Sequence, residues 1–355
     1  MAGCWRWSTK VGCTPLWRSL GDSIAWSLRR EFSVQVLTDR DALSGPTVVT
    51  IGNFDGVHLG HQALIQRALA VAQQQRQKML VVTFDPHPAS VLRGPLEHYL
   101  ITPGALKLHY LDQTGVKWVR LLRFTPEFAQ IPAETFLDRI LAERLQASAV
   151  VVGYNFSFGR GGLGNVALLE EWGHRRRVEI VISPPYRDPG GAAVSSSAIR
   201  EFIRQGALGQ AQALLGHPFA VEGTIMHGDR RGRELQAPTL NLLWPLEQVA
   251  PPFGVYAGLA TIADNAPRRA VCNFGVRPTF GESSPRLEVH LLDVELGEHY
   301  GEFLHLDLLH FMREERKFAT PAELVSQIQR DIDESRRLLQ DVELHSGSDT
   351  GTEQP

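Results

Sequence analysis

The sequence predicts an α/β chain of two modules: a parallel sheet with crossover helices, then a small antiparallel β-barrel closed by a helix. Three observations carry this. Short β-branched runs alternate with helical patterns over residues 47–206, strand-like runs then follow one another from about residue 220, and a capped helical pattern begins at Thr320.

The strand-like runs of the first part are residues 47–52, 79–84, 116–122, 149–153 and 178–182. Between them, residues 61–75 set Leu64, Ala68 and Val71 on one face, and residues 134–145 do the same with Leu137, Ile140, Leu141 and Leu145. Strands separated by helices of this length form βαβ units, hence a parallel sheet with right-handed crossovers. Ligands of such sheets bind beyond the carboxyl ends of the strands. In the second part, residues 221–226, 254–262, 269–274, 287–294 and 303–309 read as strands separated by Gly, Pro and Asp/Asn turns. Five or six such strands predict a small barrel. Thr320-Pro321 opens the closing helix, with Leu324, Ile328, Ile332 and Leu338 as its apolar face. A short helix and linker are expected over 206–216. The division expected is an N-terminal extension over 1–33, domains over 34–206 and 207–340, and a disordered tail over 341–355.

Bulk properties exclude several classes. A chain of 355 residues can bury two cores. A net charge of −3 argues against a nucleic-acid binder, whose affinity rests on clustered cations. No apolar run approaches the roughly 18 residues of a membrane span. Cys4, Cys13 and Cys272 are odd in number and form no C-x-x-C pair, so neither a disulfide framework nor a zinc site is expected, and a reducing cytoplasm is the natural compartment. The first thirty residues carry Arg6, Lys10, Arg18, Arg29 and Arg30 against Asp22 alone; a targeting leader and a functionless extension are both open readings.

The string Gly52-Asn53-Phe54-Asp55-Gly56-Val57-His58-Leu59-Gly60-His61 follows a strand and opens a helix. Glycines at 52, 56 and 60 allow a tight turn and close approach of a phosphate. The helix start offers unpaired N–H groups and a positive dipole end. His58 and His61, three apart across a glycine, can both address one phosphate as charge builds during in-line displacement. Two loop histidines in a glycine-requiring turn is the plainer alternative. Two further segments fit the same site. Val194-Ser195-Ser196-Ser197-Ala198-Ile199-Arg200 places hydroxyls at a helix start and a permanent charge one turn in, although ordinary capping also explains serines there. Residues 153–162 follow another strand; Asn155 suits a phosphate or ribose, while Phe156 and Phe158 suit either a flat ring or the core.

These residues resemble the H-x-G-H nucleotidyltransferases, specifically the prokaryotic bifunctional riboflavin kinase/FMN adenylyltransferases, or FAD synthetases. The marks are GNFDGVHLGH, TFDPHP over 83–88, GYNFSFG and VSSSAIR, and the resemblance spans roughly residues 45–340. It implies a Rossmann-like nucleotidyltransferase domain followed by a six-stranded antiparallel β-barrel riboflavin kinase domain with a closing helix. His58, His61, Ser196 or Ser197 and Arg200 would then hold ATP phosphates, together with the turn formed by Gly52, Asn53, Phe54, Asp55 and Gly56. Asn155 would lie at the nucleotide–flavin junction, and residues 84–88 near FMN. The FMN phosphate would attack the α-phosphorus of ATP and release pyrophosphate, with no covalent enzyme intermediate.

The second part opens with a strand running into a Gly- and Arg-rich loop, Gly228 to Arg233, able to cover phosphates or to stand as a solvated hairpin. Pro238-Thr239-Leu240-Asn241 follows; the Thr239 hydroxyl and the Asn241 carbonyl are hard oxygen donors suited to Mg²⁺ bridging to ATP. No Walker A lysine pattern occurs in the chain. The segment is similar to the riboflavin kinase motif Pro-Thr-Ala-Asn, with Leu240 at the Ala position and Gln236-Ala237 where Gly-Phe is usual. The resemblance makes Glu288, in the alternating run Leu287-Glu288-Val289-His290, the general base for riboflavin's terminal hydroxyl, whereas the alternation alone reads as a solvated outward residue. Arg313 and residues 314–318 resemble the segment that closes over flavin. The expected function is therefore phosphorylation of riboflavin to FMN and adenylylation of FMN to FAD, with ATP and Mg²⁺ and with no protein partner implied. An adenylyltransferase with a degenerate flavin-binding barrel is the alternative that Gln236-Ala237 motivates.

Overall fold

The computed structural model describes residues 33–38, 41, 43–227, 238–263, 265–276, 285–294 and 297–344. The expected extension (apart from Ser33), most of the expected tail, and the expected ligands Gly228 and Arg233 lie outside the described residues, as do Gln236 and Ala237.

Six parallel strands form the first sheet: β1 (Gln35–Leu37), β2 (Thr47–Ile51), β3 (Lys78–Asp85), β4 (Trp118–Arg123), β5 (Ala147–Gly153) and β6 (Glu179–Ser183). Their order is β1-β4-β3-β2-β5-β6, so the direction of winding reverses between β2 and β5. The central strands are fully buried, with Val48, Val49 and Val150 to Val152 at 0% exposure, because helices cover both faces. One cluster joins Val48, Val81 and Val151 to Ile65 and Ala68 of α1 (Leu59–Gln75). The other joins Val49, Val82 and Val152 to Leu137 and Leu141, and to Leu169 and Trp172. Helices α2 (Pro88–Arg93), α3 (Gly104–Asp112) and α4 (Val166–Arg176) complete this layer. The helix expected over 134–145 is present, but from Phe136 to Arg144 it is π-helical, with Leu145 N–H reaching the Ile140 carbonyl. β1 has no counterpart in the sequence reading: three residues are too few to show a period, and β1 holds only through its pairing with β4.

Helices α5 (Ser196–Arg204) and α6 (Leu208–Leu215) lead into the second sheet. Its strands are β7 (Phe219–Thr224), β8 (Leu240–Leu243), β9 (Gly254–Ile262), β10 (Arg268–Val276), β11 (Pro285–Leu291) and β12 (Phe303–Glu314), antiparallel in the order β7-β12-β9-β10-β11-β8. Met226 N–H to the Asn241 carbonyl, 2.8 Å, brings the first and last strands together and nearly closes the barrel. Strand β8 was expected only as a motif; at four residues its alternation is too short to read alone. β12 runs past the expected end at 309 because two register shifts let it continue along β9. β11 stops at Leu291, short of the expected 294, where Asp293 turns into the left-handed region at φ +59. The closing helix α7 (Pro321–Leu339) starts as expected: Thr320 Oγ1 accepts from Glu323 N–H and Pro321 occupies the first turn.

Candidate active sites

The first site forms where the sheet reverses direction, beyond the carboxyl ends of β2 and β5, the position open parallel sheets offer to a ligand. A cavity of about 630 Å³ lies there, lined by residues from both loops and from the start of α5. That volume suits a cofactor-sized ligand.

The turn after β2 is built on left-handed backbone at Phe54 (φ +50), Gly56 (φ +85) and Val57 (φ +35). It ends at His58, which caps α1 by accepting the His61 N–H on Nδ1 at 3.3 Å. That bond leaves Nε2 of His58 to carry the ring proton. The two imidazoles stack at 3.6 Å with 14° between their planes. Gly60 makes the stack possible: a Cβ there would stand 3.1 Å from the His58 ring. Burial lowers the His58 pKa to about 4, against the pull of Asp55, and burial with the neighbouring His58 and Lys107 holds His61 well below the usual imidazole range. Both rings are therefore neutral at pH 7. Nδ1 of His61 is buried with no partner among the described residues.

The other residues expected here divide into those that face the cavity and those that hold the turn. Gly52, Asn53, Asn155, Ser196 and Ser197 all line the cavity. Phe54 places its ring in the core, fully buried and edge-on to His61 at 5.2 Å, so it supports the histidine. Gly56 is not among the lining residues; its N–H donates to Thr102 Oγ1 at 2.8 Å, and a Cβ would meet Ile101 at 3.0 Å. Asp55 accepts Ile101 N–H at 2.8 Å and Thr102 N–H at 3.1 Å on one oxygen, and Arg200 Nη2 at 2.8 Å on the other. Arg200 also donates from Nε to the Tyr99 carbonyl at 2.7 Å and lies over the Tyr99 ring at 4.0 Å. Its charge thus reaches the cavity wall already paired. Ser195 caps α5, while Ser196 Oγ donates to the Asp55 carbonyl at 2.8 Å. Phe158 belongs to the core, 6% exposed, and Phe156 packs against it at 5.3 Å.

Several contributors escaped the sequence reading. Phe124 and Phe128, 5.4 Å apart, join Phe84 of the segment expected near FMN, which meets them edge to face at 5.5 and 6.1 Å; the three form an aromatic wall of the cavity, and no local pattern links the first two to it. His217 holds the Gly56 carbonyl at 3.0 Å and stacks on Tyr110 at 3.5 Å. Lys107, buried beneath the turn, donates to the Phe84 carbonyl at 3.2 Å.

The second site lies on the outer face of the barrel. Antiparallel register sets Asn273, Glu288 and Asn241 side by side across β10, β11 and β8. Their neighbours Phe274, Leu287, Val289 and Leu240 fill the barrel core, so these three turn the other way. Glu288 is half-buried, not freely solvated. Asn241 Nδ2 donates to the Thr239 carbonyl at 3.4 Å, and the His290 ring holds the Pro238 carbonyl at 2.9 Å. Glu315 lies over this face: it accepts from Asn273 Nδ2 at 3.1 Å and occupies the space a Cβ on Gly275 would fill. Arg313, expected near flavin, grips Asp331 of α7 through Nε at 3.0 Å and Nη2 at 2.6 Å, tying the closing helix to β12.

Residues 41–198 match the family model described as FAD synthetase, and residues 215–339 match that described as riboflavin kinase. A bifunctional riboflavin kinase/FMN adenylyltransferase of Escherichia coli (strain K12) is 38% identical over 285 residues, covering 80% of this chain and 90% of that protein. One from Bacillus subtilis (strain 168) is 33% identical over 301 residues, covering 83% and 93%. A crystal structure described as a macrolide-efflux protein from Streptococcus pneumoniae superposes with a TM-score of 0.75 at 29% identity, over 85% of this chain and 98% of its own. That likeness supports the two-module architecture; no helix among the described residues is long and apolar enough to cross a membrane. With each module matched to its own model and both relatives aligned through nearly their whole length, the chain belongs to the family of bifunctional riboflavin kinase/FMN adenylyltransferases.

Proposed function

We propose that this chain phosphorylates riboflavin to FMN on the barrel and adenylylates FMN to FAD in the cleft of the parallel sheet, drawing on ATP in both steps and on Mg²⁺. The observation that carries the second assignment is the stacked pair His58–His61 at the start of α1, 3.6 Å apart beside a 630 Å³ cavity. In that cleft an FMN phosphate oxygen attacks the α-phosphorus of ATP, the bond to the β-phosphate oxygen breaks, and pyrophosphate leaves. His58 offers Nε2–H to the phosphates, and the helix N-terminus supports the charge that builds at the α-phosphoryl group. Phe84, Phe124 and Phe128 supply a flat apolar wall suited to the isoalloxazine ring. Reaction then rests on positioning and fixed dipoles.

On the barrel, Glu288 takes the proton of riboflavin's terminal hydroxyl as its oxygen attacks the γ-phosphorus and ADP leaves. The oxygens of Thr239 and Asn241 would hold Mg²⁺. Among the described residues no group of three or more His, Cys, Asp or Glu could hold a metal, so such an ion must keep waters and take phosphate oxygens, as Mg²⁺ does. Bound there, the ion would neutralise phosphate charge. The loop with Gly228 and Arg233 completes this reading as a phosphate cover, and Arg313 serves it by anchoring β12 where residues 314–318 begin. A reducing cytoplasm suits the chain, whose Cys272 is a buried free thiol.

Supplying riboflavin, ATP and Mg²⁺ and separating FMN from FAD by chromatography tests the assignment. His61→Ala should slow FAD formation roughly 10²-fold or more while FMN accumulates. Thr239→Ala should slow FMN formation alone. FAD made from FMN, with no FMN made from riboflavin, would reduce the barrel to a flavin-binding module.

A second expectation follows from the lowered His58 pKa of about 4 in the free protein. Triphosphate bound against the ring favours its charged form and raises that pKa. Binding then takes up a proton, so affinity should rise as pH falls from 7 toward 5. Calorimetric titration of an ATP analogue in buffers of different ionisation enthalpy reads that uptake, and His58→Asn should diminish it.

A further inference from the structure

The segment that shapes the first cavity is itself held by the barrel. Residues 98–101 lie alongside residues 246–249, which connect β8 to β9. His98 N–H donates to the Leu246 carbonyl at 2.8 Å, while Tyr99 and Leu100 N–H both donate to the Glu247 carbonyl, at 2.9 and 2.7 Å. Val249 N–H returns to the Leu100 carbonyl at 2.8 Å. Gln248 sits at the centre of this seam with 0% exposure. Its Nε2 donates to the Ile101 carbonyl at 3.0 Å and to the Ala220 carbonyl of β7 at 2.7 Å, and its own carbonyl accepts from Trp244 Nε1 at 3.1 Å.

What the seam holds is the scaffold of the His58–His61 turn. Tyr99 carries Arg200 on its carbonyl and under its ring. Ile101 and Thr102 hold the Asp55 carboxylate, and Thr102 holds the Gly56 N–H. A second connection runs through apolar packing: Ile199 and Ile203, on the helix that bears Ser196 and Arg200, are fully buried in the same cluster as Phe219, Val221 and Trp244 of the barrel, as is Ile101. Glu247 also senses the charge of the first module: burial and the nearby Asp85, which ends β3 at the cavity loop, push its carboxyl pKa up.

We propose that Gln248, a barrel residue that touches neither substrate, is a positioning residue for FMN adenylylation: it fixes residues 98–102, and through them Asp55, Arg200 and the His58–His61 turn. The chain's first reaction site is therefore completed by its second module. The proposal rests on placing adenylyl transfer in the His58–His61 cavity.

The test is Gln248→Met in the full chain, which keeps nearly the side-chain volume and removes both donors. The turnover of FMN to FAD should fall about tenfold or more, in kcat rather than in KM for FMN, since a 1 Å misplacement can cost about 10²-fold. FMN formation from riboflavin, measured on the same sample, should stay within about twofold, because its residues lie on other strands. Gln248→His, which restores one ring N–H donor, should recover part of the loss; a role in packing alone would rank the apolar Met above His. Should the Met variant fail to fold, Gln248→Asn, neutral and polar but one methylene too short to hold both carbonyls, is read the same way. Unchanged FAD formation, or equal loss of both reactions, overturns the proposal. His61→Ala run in parallel separates its failure from that of the site assignment: if that variant still makes FAD normally, the cavity is not the reaction site, whatever Gln248 does.

Discussion

Replacing Glu288 with Ala should slow FMN formation from riboflavin by roughly 10²–10⁴-fold, the range expected when a general base is lost. FAD formation from supplied FMN should change by less than about twofold, since distant sites act additively. The physical case is the row Asn273–Glu288–Asn241, set by the register of three adjacent antiparallel strands. Cross-strand partners have Cβ atoms about 4.5–5.5 Å apart, so the Glu288 carboxylate and the Asn241 amide share one patch of the outer barrel face. Thr239 is brought to the same patch by the neighbouring carbonyl contacts, through His290 on Pro238 and Asn241 on Thr239 itself. Glu288→Gln keeps the shape and removes the base, so it should lose nearly as much as Ala; a variant that keeps activity would assign the carboxylate to charge balance instead. Separate assays with riboflavin and with FMN decide the matter, and loss of both reactions in a folded protein would contradict two independent sites.

The fold was legible wherever a period ran long enough to be read. β2, β3 and β5 are buried on both faces and stood out as unbroken β-branched runs, and α7 announced itself through Thr320, Pro321 and an apolar stripe. β1 and β8 were not legible, because three or four residues show no alternation and both strands exist through their neighbours. The same division runs through the first site. His58, Gly60 and His61 sit within four positions, and their spacing carries the message. Gly60 has a further role that spacing does not reveal: it makes room for the His58 ring. Arg200 was read as a charge for phosphate, and its guanidinium proves to be shared with Asp55, 145 positions away. Such a pair leaves no local trace. Of the aromatic wall, Phe84 was legible through the motif over 83–88, whereas Phe124 and Phe128 are silent for the same reason, since each alone looks like core. On the barrel, Arg313 carries a family-derived expectation of flavin contact, and its pairing with Asp331 of α7, 18 positions away, was not legible.

That hidden pair yields the largest stability effect expected in the first module. Asp55 and Arg200 have side chains only 4% and 7% exposed and meet at 2.8 Å. Removing one partner of a buried ion pair typically costs about 3–5 kcal/mol, because the other charge stays desolvated without compensation. Asp55→Ala goes further, since it also strips the acceptor from the N–H groups of Ile101 and Thr102, and orphaned buried donors each cost about 1–3 kcal/mol. The melting transition of the parallel-sheet module should fall well below that of the native chain, and FAD formation should fail at temperatures where FMN formation persists. Asp55→Asn, which retains an oxygen for the two amides, should lose less than Ala. Replacing both partners, as Asp55→Leu with Arg200→Met, removes the stranded charge and should recover part of the stability, since apolar substitutes for buried ion pairs are often neutral or better. It should not recover FAD formation, because the turn bearing His58 and His61 would still lack the carboxylate that ties it to residues 101 and 102. Calorimetry on the three variants beside the two activity assays separates those contributions. A double variant that regained FAD formation would show that the pair serves stability alone.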